Sequence, residues 1–325
     1  MRVLVTGGAG FLGSHLVDAF LDRGDEVFVL DEGPTAKLQH RLRHSRLHIS
    51  QDSVLNEGVL DELISGVDLV YHLAAVVGVQ YYVVDPHLVL DVNVNGTENV
   101  LKIAHKHGRR IVFASTSEVY GRNPKVPWHE EDDRVLGATS IDRWCYSTSK
   151  AVGEHLCFAY AKRGLPVTIL RYFNVYGPRL DRMGAGRVVT IFVGQALAGE
   201  PLTVVGDGSQ TRCFTYQSDA ITATVAAGLL PEAVGGVFNV GNDAEVSVRT
   251  LAERIIRVSG SSSSIAFIAP ETVYGTSYED ISRRVPDIRR MEDLLRVTPR
   301  VTLDEGLRHT IDYFRAKVAA PAGHE

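Results

Sequence analysis

A tyrosine and a lysine four residues apart, Tyr146 and Lys150, are the side chains best suited to acid/base chemistry in this sequence. They stand at the start of a helical pattern, and the i, i+4 spacing projects the phenol and the ammonium from one helical face. Upstream, an apolar run at residues 110–113 predicts a buried strand, and Thr116 and Glu118 follow at its carboxyl end. A tyrosine beside a lysine, with a hydroxyl supplied from a strand tip, predicts an acid/base device.

A glycine-rich turn near the start of the chain indicates which cofactor this acid/base pair uses. A short apolar strand pattern precedes Gly7, Gly10 and Gly13, a helical stripe follows, and the next strand pattern ends on Asp31. This order predicts a dinucleotide-binding unit in which the helix N-terminus faces the pyrophosphate. An acid at Asp31 accepts hydrogen bonds from both ribose hydroxyls and repels a 2′-phosphate, so the sequence favours NAD over NADP.

Alternating strand and helix patterns continue through the first half of the chain and predict a Rossmann-like, doubly wound parallel sheet, an α/β fold. A long helix is predicted from about Pro86 to His107, and Tyr82 is placed in the loop after the fourth strand. We expect a NAD-binding domain over residues 1–173, with 213–243 returning to it. Residues 174–212 and 244–325 are expected to form a smaller α/β domain that binds the substrate.

Composition excludes several classes of protein. The 325-residue chain has a formal net charge of -5 and no Lys/Arg cluster, which argues against nucleic acid as the main partner. Its three cysteines have no metal-like spacing, and no apolar run is long enough to span a membrane. No signal-peptide pattern precedes the first strand, so we expect a cytoplasmic protein without a metal.

Several motifs carry a family resemblance: Gly7-x-x-Gly10-x-x-Gly13, His72-Leu73-Ala74-Ala75, Thr116-x-x-x-Tyr120-Gly121 and Tyr146-x-x-x-Lys150. Together they resemble the extended short-chain dehydrogenase/reductase family. Residues 171–179, 206–215 and 284–288 look like the branch of that family that acts on nucleotide sugars. Within the branch, residues 115–121 resemble the UDP-glucuronate decarboxylases, which include the UDP-xylose synthases and related bacterial enzymes that stop at the 4-keto pentose. Residues 142–150, 212–215 and 273–278 look particularly like the latter group.

The resemblance implies a set of site residues. Those implied in catalysis are Thr116, Ser117, Glu118, Tyr146, Lys150 and Arg212. Those implied in cofactor binding are Gly7, Gly10, Phe11, Leu12, Gly13, Asp31, Asp52, Leu73, Ala74, Ala75, Tyr146, Lys150 and Tyr172. Those implied in substrate binding are Tyr82, Thr116, Glu118, Asn174, Arg179, Arg187, Arg212 and Arg284, with Arg284 on the nucleotide diphosphate. For Asp52 and Asn174, a role in a local turn is the alternative.

The implied reaction is NAD-dependent decarboxylation of UDP-glucuronate. Tyr146 would take the 4-hydroxyl proton, and we expect Lys150 and the positive nicotinamide ring to favour its phenolate. Oxidation at C4 makes the glucuronate a β-keto acid, which loses carbon dioxide. Arg212 would orient the carboxylate or donate the proton to C5. Glu118 would act either as a carboxylate that repels the departing one or as a protonated acid.

Several alternatives remain open at the level of sequence. A UDP-sugar 4-epimerase, acting on UDP-glucuronate among others, would share every feature except Glu118, and a catalytically inactive NAD-sensing protein is a weaker alternative. A 4,6-dehydratase is disfavoured because its relatives carry an aspartic acid where this chain has Ser117. The 4-keto pentose would be reduced to UDP-xylose or released, with reduction the expectation, and UDP rather than dTDP rests on the resemblance. We also expect a homodimer paired through two long helices, at about Pro86 to His107 and Tyr146 to Arg163, and a substrate-ordered lid at residues 180–187.

Overall fold

The computed structural model describes residues 1–180, 183–184, 186–269, 272 and 281–319 of the chain. Residues 273–278, and residues 181, 182 and 185 of the predicted lid, therefore lie outside the described residues. Its strands are β1 (Arg2–Thr6), β2 (Glu26–Leu30), β3 (Leu47–Ser50), β4 (Leu69–His72), β5 (Arg110–Thr116), β6 (Val167–Tyr172), β7 (Val175–Tyr176), β8 (Leu202–Val205), β9 (Thr211–Cys213), β10 (Thr215–Tyr216), β11 (Val237–Val240), β12 (Glu245–Ser247), β13 (Ile265–Ile268) and β14 (Arg283–Arg284).

The helices alternate with these strands through the first half of the chain. They are α1 (Phe11–Arg23), α2 (Glu57–Ser65), α3 (Val79–Val84), α4 (Pro86–Leu90), α5 (Gly96–His107), α6 (Arg143–Ala161), α7 (Val188–Ala198), α8 (Gln217–Leu229) and α9 (Val248–Ser259), followed by helices Arg289–Leu295 and Leu303–Ala319. No helix in the described part of the chain is long and apolar enough to cross a membrane.

A seven-stranded sheet with the order β11-β6-β5-β4-β1-β2-β3 organises the molecule. Every neighbouring pair in it is parallel, as expected where a helix connects successive strands. The strands are apolar on both faces because helices cover both sides of the sheet. This arrangement confirms the predicted Rossmann-like α/β fold, and it places the order reversal between β1 and β4, where such sheets bind ligands.

The C-terminal half builds a separate core beside the carboxyl edge of the sheet. Its buried side chains come from α7, β8, α9 and helix Leu303–Ala319. Small sheets frame this core: β13 pairs with β8, and β9 lies between β12 and β14. The strand β11 and the helix α8, by contrast, pack with the large sheet. The exact domain boundaries stay a prediction.

The structure corrects the predicted helix over 86–107 and the position of Tyr82. The helix is interrupted by a wide π-type turn at Asp91–Asn95, between α4 and α5. That turn lets the buried Asn93 amide hydrogen-bond with the backbone of Val76 and with the Ser149 hydroxyl. These contacts lie outside the hydrogen-bond pattern of a regular helix. Tyr82 lies in the short helix α3 rather than in a loop, because Gly78, at φ 130°, lets the chain turn into a helix at that point.

Candidate active site

The glycine turn after β1 has the shape that a dinucleotide requires. Gly7 has φ 72°, a left-handed conformation that favours glycine, and a Cβ on Gly13 would lie 2.1 Å from the Gly7 carbonyl oxygen. The helix α1 begins at Phe11, and its N-cap residue Gly10 makes no side-chain capping bond. The first backbone N–H groups of α1, at Phe11 and Leu12, therefore form a ready site for a phosphate.

The remaining predicted cofactor residues lie at the same edge of the sheet. The Asp31 carboxylate, at the end of β2, accepts from the backbone N–H of Ala9 at 2.9 Å and of Gly33 at 2.8 Å. Asp52 accepts from the Ser53 backbone N–H at 2.7 Å, a local turn contact. Leu73, Ala74 and Ala75 follow β4, and a Cβ on Gly7 would lie 2.7 Å from the Ala74 nitrogen. The glycine turn, the open helix start and an acid at the end of β2 together fit NAD.

Tyr146 and Lys150 project from the first turns of α6 toward the end of β5. Lys150 Nζ donates to the Ala114 carbonyl oxygen at 2.9 Å, and the Tyr146 hydroxyl hydrogen-bonds with the side chain of Thr116. The Tyr82 ring stacks on the Tyr146 ring with centroids 5.9 Å apart. The structure therefore brings the predicted tyrosine, lysine and threonine together.

Burial dominates the protonation of this pair. It raises the pKa of Tyr146, and the negative charge of Glu118 raises it further, while the Arg187 charge and the Thr116 hydrogen bond oppose that change. Burial also lowers the pKa of Lys150, to about 8. Tyr146 is thus held as a phenol in the folded chain, and the expected phenolate requires more positive charge near it.

Glu118, just after β5, forms ion pairs with two buried arginines. Arg284 Nη1 lies 2.8 Å and Arg143 Nη2 lies 3.1 Å from the same carboxylate oxygen, Oε1. Burial alone would raise the pKa of Glu118, but the charges of Arg284 and Arg143, and more weakly Arg212, lower it to about 2. Glu118 is therefore an ionised carboxylate in the folded chain, and Ser147 Oγ donates to its backbone carbonyl at 2.6 Å.

Arg212 and Arg284 occupy paired positions on neighbouring strands. The register of β14 on β9 aligns Arg284 with Arg212, and Arg212 Nη1 donates to the Thr211 carbonyl oxygen at 2.8 Å. The structure thus sets Arg284 against Glu118, whereas the sequence analysis assigned it to the nucleotide diphosphate. The predicted role of Arg212 at the C5 end of the sugar stays a prediction.

The other predicted site residues make contacts with other parts of the chain. Asn174 has φ 38° and donates to the Cys213 carbonyl oxygen at 3.1 Å, while Arg187 immediately precedes α7. Arg179 lies against α1, with Nη2 2.6 Å from Asp18 Oδ2. The Tyr172 hydroxyl shares a hydrogen bond with Thr224 in α8, and Ser117 is buried at the start of the turn Ser117–Tyr120.

Comparison with known proteins assigns this arrangement to a family. The sequence pattern of the NAD dependent epimerase/dehydratase family matches residues 3–241. The chain belongs to this family. Membership confirms the predicted resemblance and the predicted NAD cofactor.

Two relatives of this epimerase/dehydratase chain are decarboxylases, and a solved neighbour is an epimerase. The UDP-N-acetyl-alpha-D-glucosaminuronate decarboxylase of Bacillus cytotoxicus is 42% identical over 316 residues, 97% of this chain and 98% of the relative. UDP-glucuronic acid decarboxylase 1 of Xenopus tropicalis is 39% identical over 330 residues, 100% of this chain and 74% of the relative. The UDP-glucuronic acid 4-epimerase of Bacillus cereus, solved with UDP-glucuronic acid and NAD, is 32% identical with a TM-score of 0.87, covering 98% of this chain and 100% of that one.

The sequence analysis of this family member gave no role to Arg143, which the structure places on Glu118. One signal was available: Arg143 lies three residues before Tyr146, a spacing that puts both side chains on one face of α6. The contact of Arg284 with Glu118 had no such local signal, because it joins distant parts of the chain.

Proposed function

We propose that this chain decarboxylates UDP-glucuronate with NAD, oxidising C4, losing carbon dioxide and reducing the 4-keto pentose to UDP-xylose. The observation that carries the proposal is the Glu118 carboxylate held by Arg143 and Arg284 beside Thr116 and Tyr146. Two arginines on one carboxylate form a site suited to a second carboxylate, that of a uronate. The identities of 42% and 39% to decarboxylases of UDP-uronates, along nearly the whole chain, support the same reaction.

The first step depends on the hydroxyl pair formed by Thr116, at the end of β5, and Tyr146, in α6. NAD, when bound, accepts a hydride from the sugar and can return it. Tyr146 takes the proton of the 4-hydroxyl, and Thr116, which already hydrogen-bonds with Tyr146, holds the same oxygen. Lys150, anchored on the Ala114 carbonyl, would hold the nicotinamide ribose of bound NAD and add positive charge near Tyr146. Removal of the proton becomes easier as positive charge gathers around Tyr146.

The second step depends on the arginine cluster, the pair Arg143 and Arg284 that binds Glu118. Oxidation at C4 leaves the sugar carboxylate β to a ketone, and loss of carbon dioxide places the electron pair in an enolate. Arg284 and Arg143 orient that carboxylate, and the ionised Glu118 repels it, which raises the free energy of the bound substrate before carbon dioxide leaves. Asn174, Arg187 and Arg179 are proposed contacts of the nucleotide diphosphate.

A second candidate substrate is UDP-N-acetylglucosaminuronate, favoured by the Bacillus cytotoxicus relative. It carries the same C5 carboxylate and differs at C2, so the chemistry at C4 and C5 is unchanged. A 4-epimerase of UDP-glucuronate is the third candidate, favoured by the Bacillus cereus structure. An epimerase must keep the carboxylate through the keto stage, and an ionised Glu118 next to that group works against it.

One experiment separates these three candidates. The NAD-loaded chain is incubated with each uronate labelled with ¹³C at C6, and the products are followed by NMR. Labelled carbon dioxide with UDP-xylose supports the proposal, and faster release from the N-acetylated sugar identifies it as the substrate. UDP-galacturonate without labelled carbon dioxide would overturn decarboxylation in favour of epimerisation.

We also propose a cytoplasmic homodimer, paired through the exposed side of α3, α4 and α6. Large apolar side chains are exposed there, among them Tyr81, Val84, Leu88 and Phe158. Water-exposed apolar side chains on packed neighbouring helices are typical of an interface. The three cysteines are free thiols, which agrees with a reducing compartment.

A further inference from the structure

A buried ion pair lies behind the proposed catalytic centre and takes no part in the steps described above. Arg171 in β6 binds Glu154 in α6 through two parallel hydrogen bonds, Nε to Oε1 at 2.9 Å and Nη2 to Oε2 at 2.6 Å. Both residues are less than a tenth exposed. A buried pair of this kind adds little net stability over an apolar replacement, so its presence next to a reactive site calls for another reason.

The pair joins the elements that carry the reactive groups. Ser115 Oγ donates to Glu154 Oε1 at 2.5 Å, and Ser115 directly precedes Thr116 in β5. Arg171 Nη1 donates at 2.9 Å to the hydroxyl of Tyr120, two residues after Glu118. The carboxylate of Glu154 thus ties α6, β5 and β6 together at the end of the sheet where the hydroxyl pair lies.

Glu154 also follows Lys150 by four residues in α6, so the two side chains share one helical face. We propose that Glu154 is a positioning residue, which fixes α6 on the end of β5 and places a negative charge on the helical face that carries Lys150. The inference rests on the proposed function, because that function gives Lys150 its role beside Tyr146.

The charges around Lys150 are consistent with this role. On its own helix it faces Tyr146, Glu154 and Cys157, and across the sheet it faces His72 of β4, with the Ala114 carbonyl and the Phe113 ring of β5 in contact. Burial raises the pKa of Cys157 well above its usual value and lowers the pKa of His72 to about 3, so both are neutral when Lys150 titrates.

Among the described residues facing Lys150, Glu154 is therefore the anion that opposes burial. Burial lowers the pKa of Lys150 to about 8, close to working pH, and loss of the Glu154 charge lowers it further. Loss of the Arg171 charge has the opposite effect, because Glu154 then faces Lys150 without its counter-ion.

The test is the pH dependence of kcat for NAD-dependent C4 oxidation by Glu154→Gln and Arg171→Gln, followed by absorbance of the reduced cofactor or by product. The alkaline limb should move down by about 1 pH unit in Glu154→Gln and up in Arg171→Gln. At the midpoint of the wild-type limb, Glu154→Gln should then be about fivefold slower than wild type. Glu98→Gln is the matched control, since Glu98 Oε1 accepts from Tyr160 at the other end of α6, at 2.7 Å, and its limb should not move.

A merely structural role predicts something different: both variants lose activity equally at every pH, with the limb unmoved, and this result would overturn the inference. Should Glu154→Gln fail to fold, the upward shift in Arg171→Gln decides alone, and an unshifted limb there overturns the proposal. The readout is oxidation at C4, so it remains measurable if the wild type epimerises its substrate. A wild type that epimerises would refute the proposed decarboxylation and leave this comparison intact.

Discussion

Neutralising Glu118 should strengthen the binding of a uronate and slow its decarboxylation. Glu118→Gln keeps the shape of the side chain and removes the charge that Arg284 and Arg143 neutralise. The two arginines then hold a net positive charge in a buried site, and the carboxylate of UDP-glucuronate can take the place of the lost anion. The repulsion that favours loss of carbon dioxide disappears at the same time.

The pKa of Glu118 gives the size of the effect. Although burial opposes ionisation, the arginines lower this pKa from 4.5 to about 2, a net preference for the anion of about 3 kcal/mol. Only 13% of the Glu118 side chain is exposed, so solvent screens the pair little. This energy sets an upper limit of roughly a hundredfold on the gain in uronate affinity. The depressed pKa also stabilises the fold fully above pH 4.5, and that contribution is lost as pH falls toward 2.

Calorimetry on the NAD-loaded protein tests the reasoning with two ligands, UDP-glucuronate and the uncharged UDP-glucose. In Glu118→Gln the first should bind between tenfold and a hundredfold more tightly and the second unchanged, while carbon dioxide release falls at least tenfold. Glu245→Gln is the matched control, because Glu245 pairs with Arg283, the outward neighbour of Arg284 on β14, at 2.8 Å. Equal changes for both ligands, or weaker binding of UDP-glucuronate alone, would refute the charge argument.

Two further predictions concern stability and assembly. Burial and the nearby Arg179 charge lower the pKa of His15 to about 4, and burial and the Lys150 charge lower the pKa of His72 to about 3. The contribution of these two histidines to the free energy of unfolding is therefore complete above pH 6.5 and falls below it, because the unfolded chain takes up the protons first. Urea unfolding should therefore lose about 4 kcal/mol between pH 7 and pH 5, and His15→Gln should remove about half of that loss. Light scattering at micromolar concentration should give twice the 35.6 kDa chain mass, and Phe158→Asp should give monomers; a monomeric wild type would refute the dimer.

Contacts within one element were predictable from the sequence, because a helix or a turn fixes them by spacing alone. The four-residue spacing of Tyr146 and Lys150 places both on one face of α6, and the glycines place a turn at the end of β1. The predicted helix over 86–107 was wrong at its middle for a tertiary reason. The turn at Asp91–Asn95 allows hydrogen bonds to Val76 and Ser149. The sequence pattern within the helix does not predict these contacts.

The arginine cluster illustrates the limit of sequence for a site built from distant segments. Glu118 and Arg284 meet because β14 pairs with β9 and the C-terminal half folds against the carboxyl edge of the sheet. Strand pairing of this kind depends on the packing of the C-terminal core, so the local pattern around Arg284 gave no sign of its contact with Glu118. The resemblance implied a contact of Arg284 with the nucleotide diphosphate, which stays a prediction, and the structure adds an ion pair with the Glu118 carboxylate.

The protonation state of Glu118 follows from the same contacts and restricts its role in the proposed reaction. Loss of carbon dioxide leaves an enolate that must gain a proton at C5, and a carboxyl group with a pKa of about 2 carries no proton to give near neutral pH. Of the two roles left open by the sequence, repulsion of the sugar carboxylate is the one compatible with this ionised state. The proton at C5 must then come from a different group, and Glu118→Gln should slow carbon dioxide loss more than the reduction of an added 4-keto pentose.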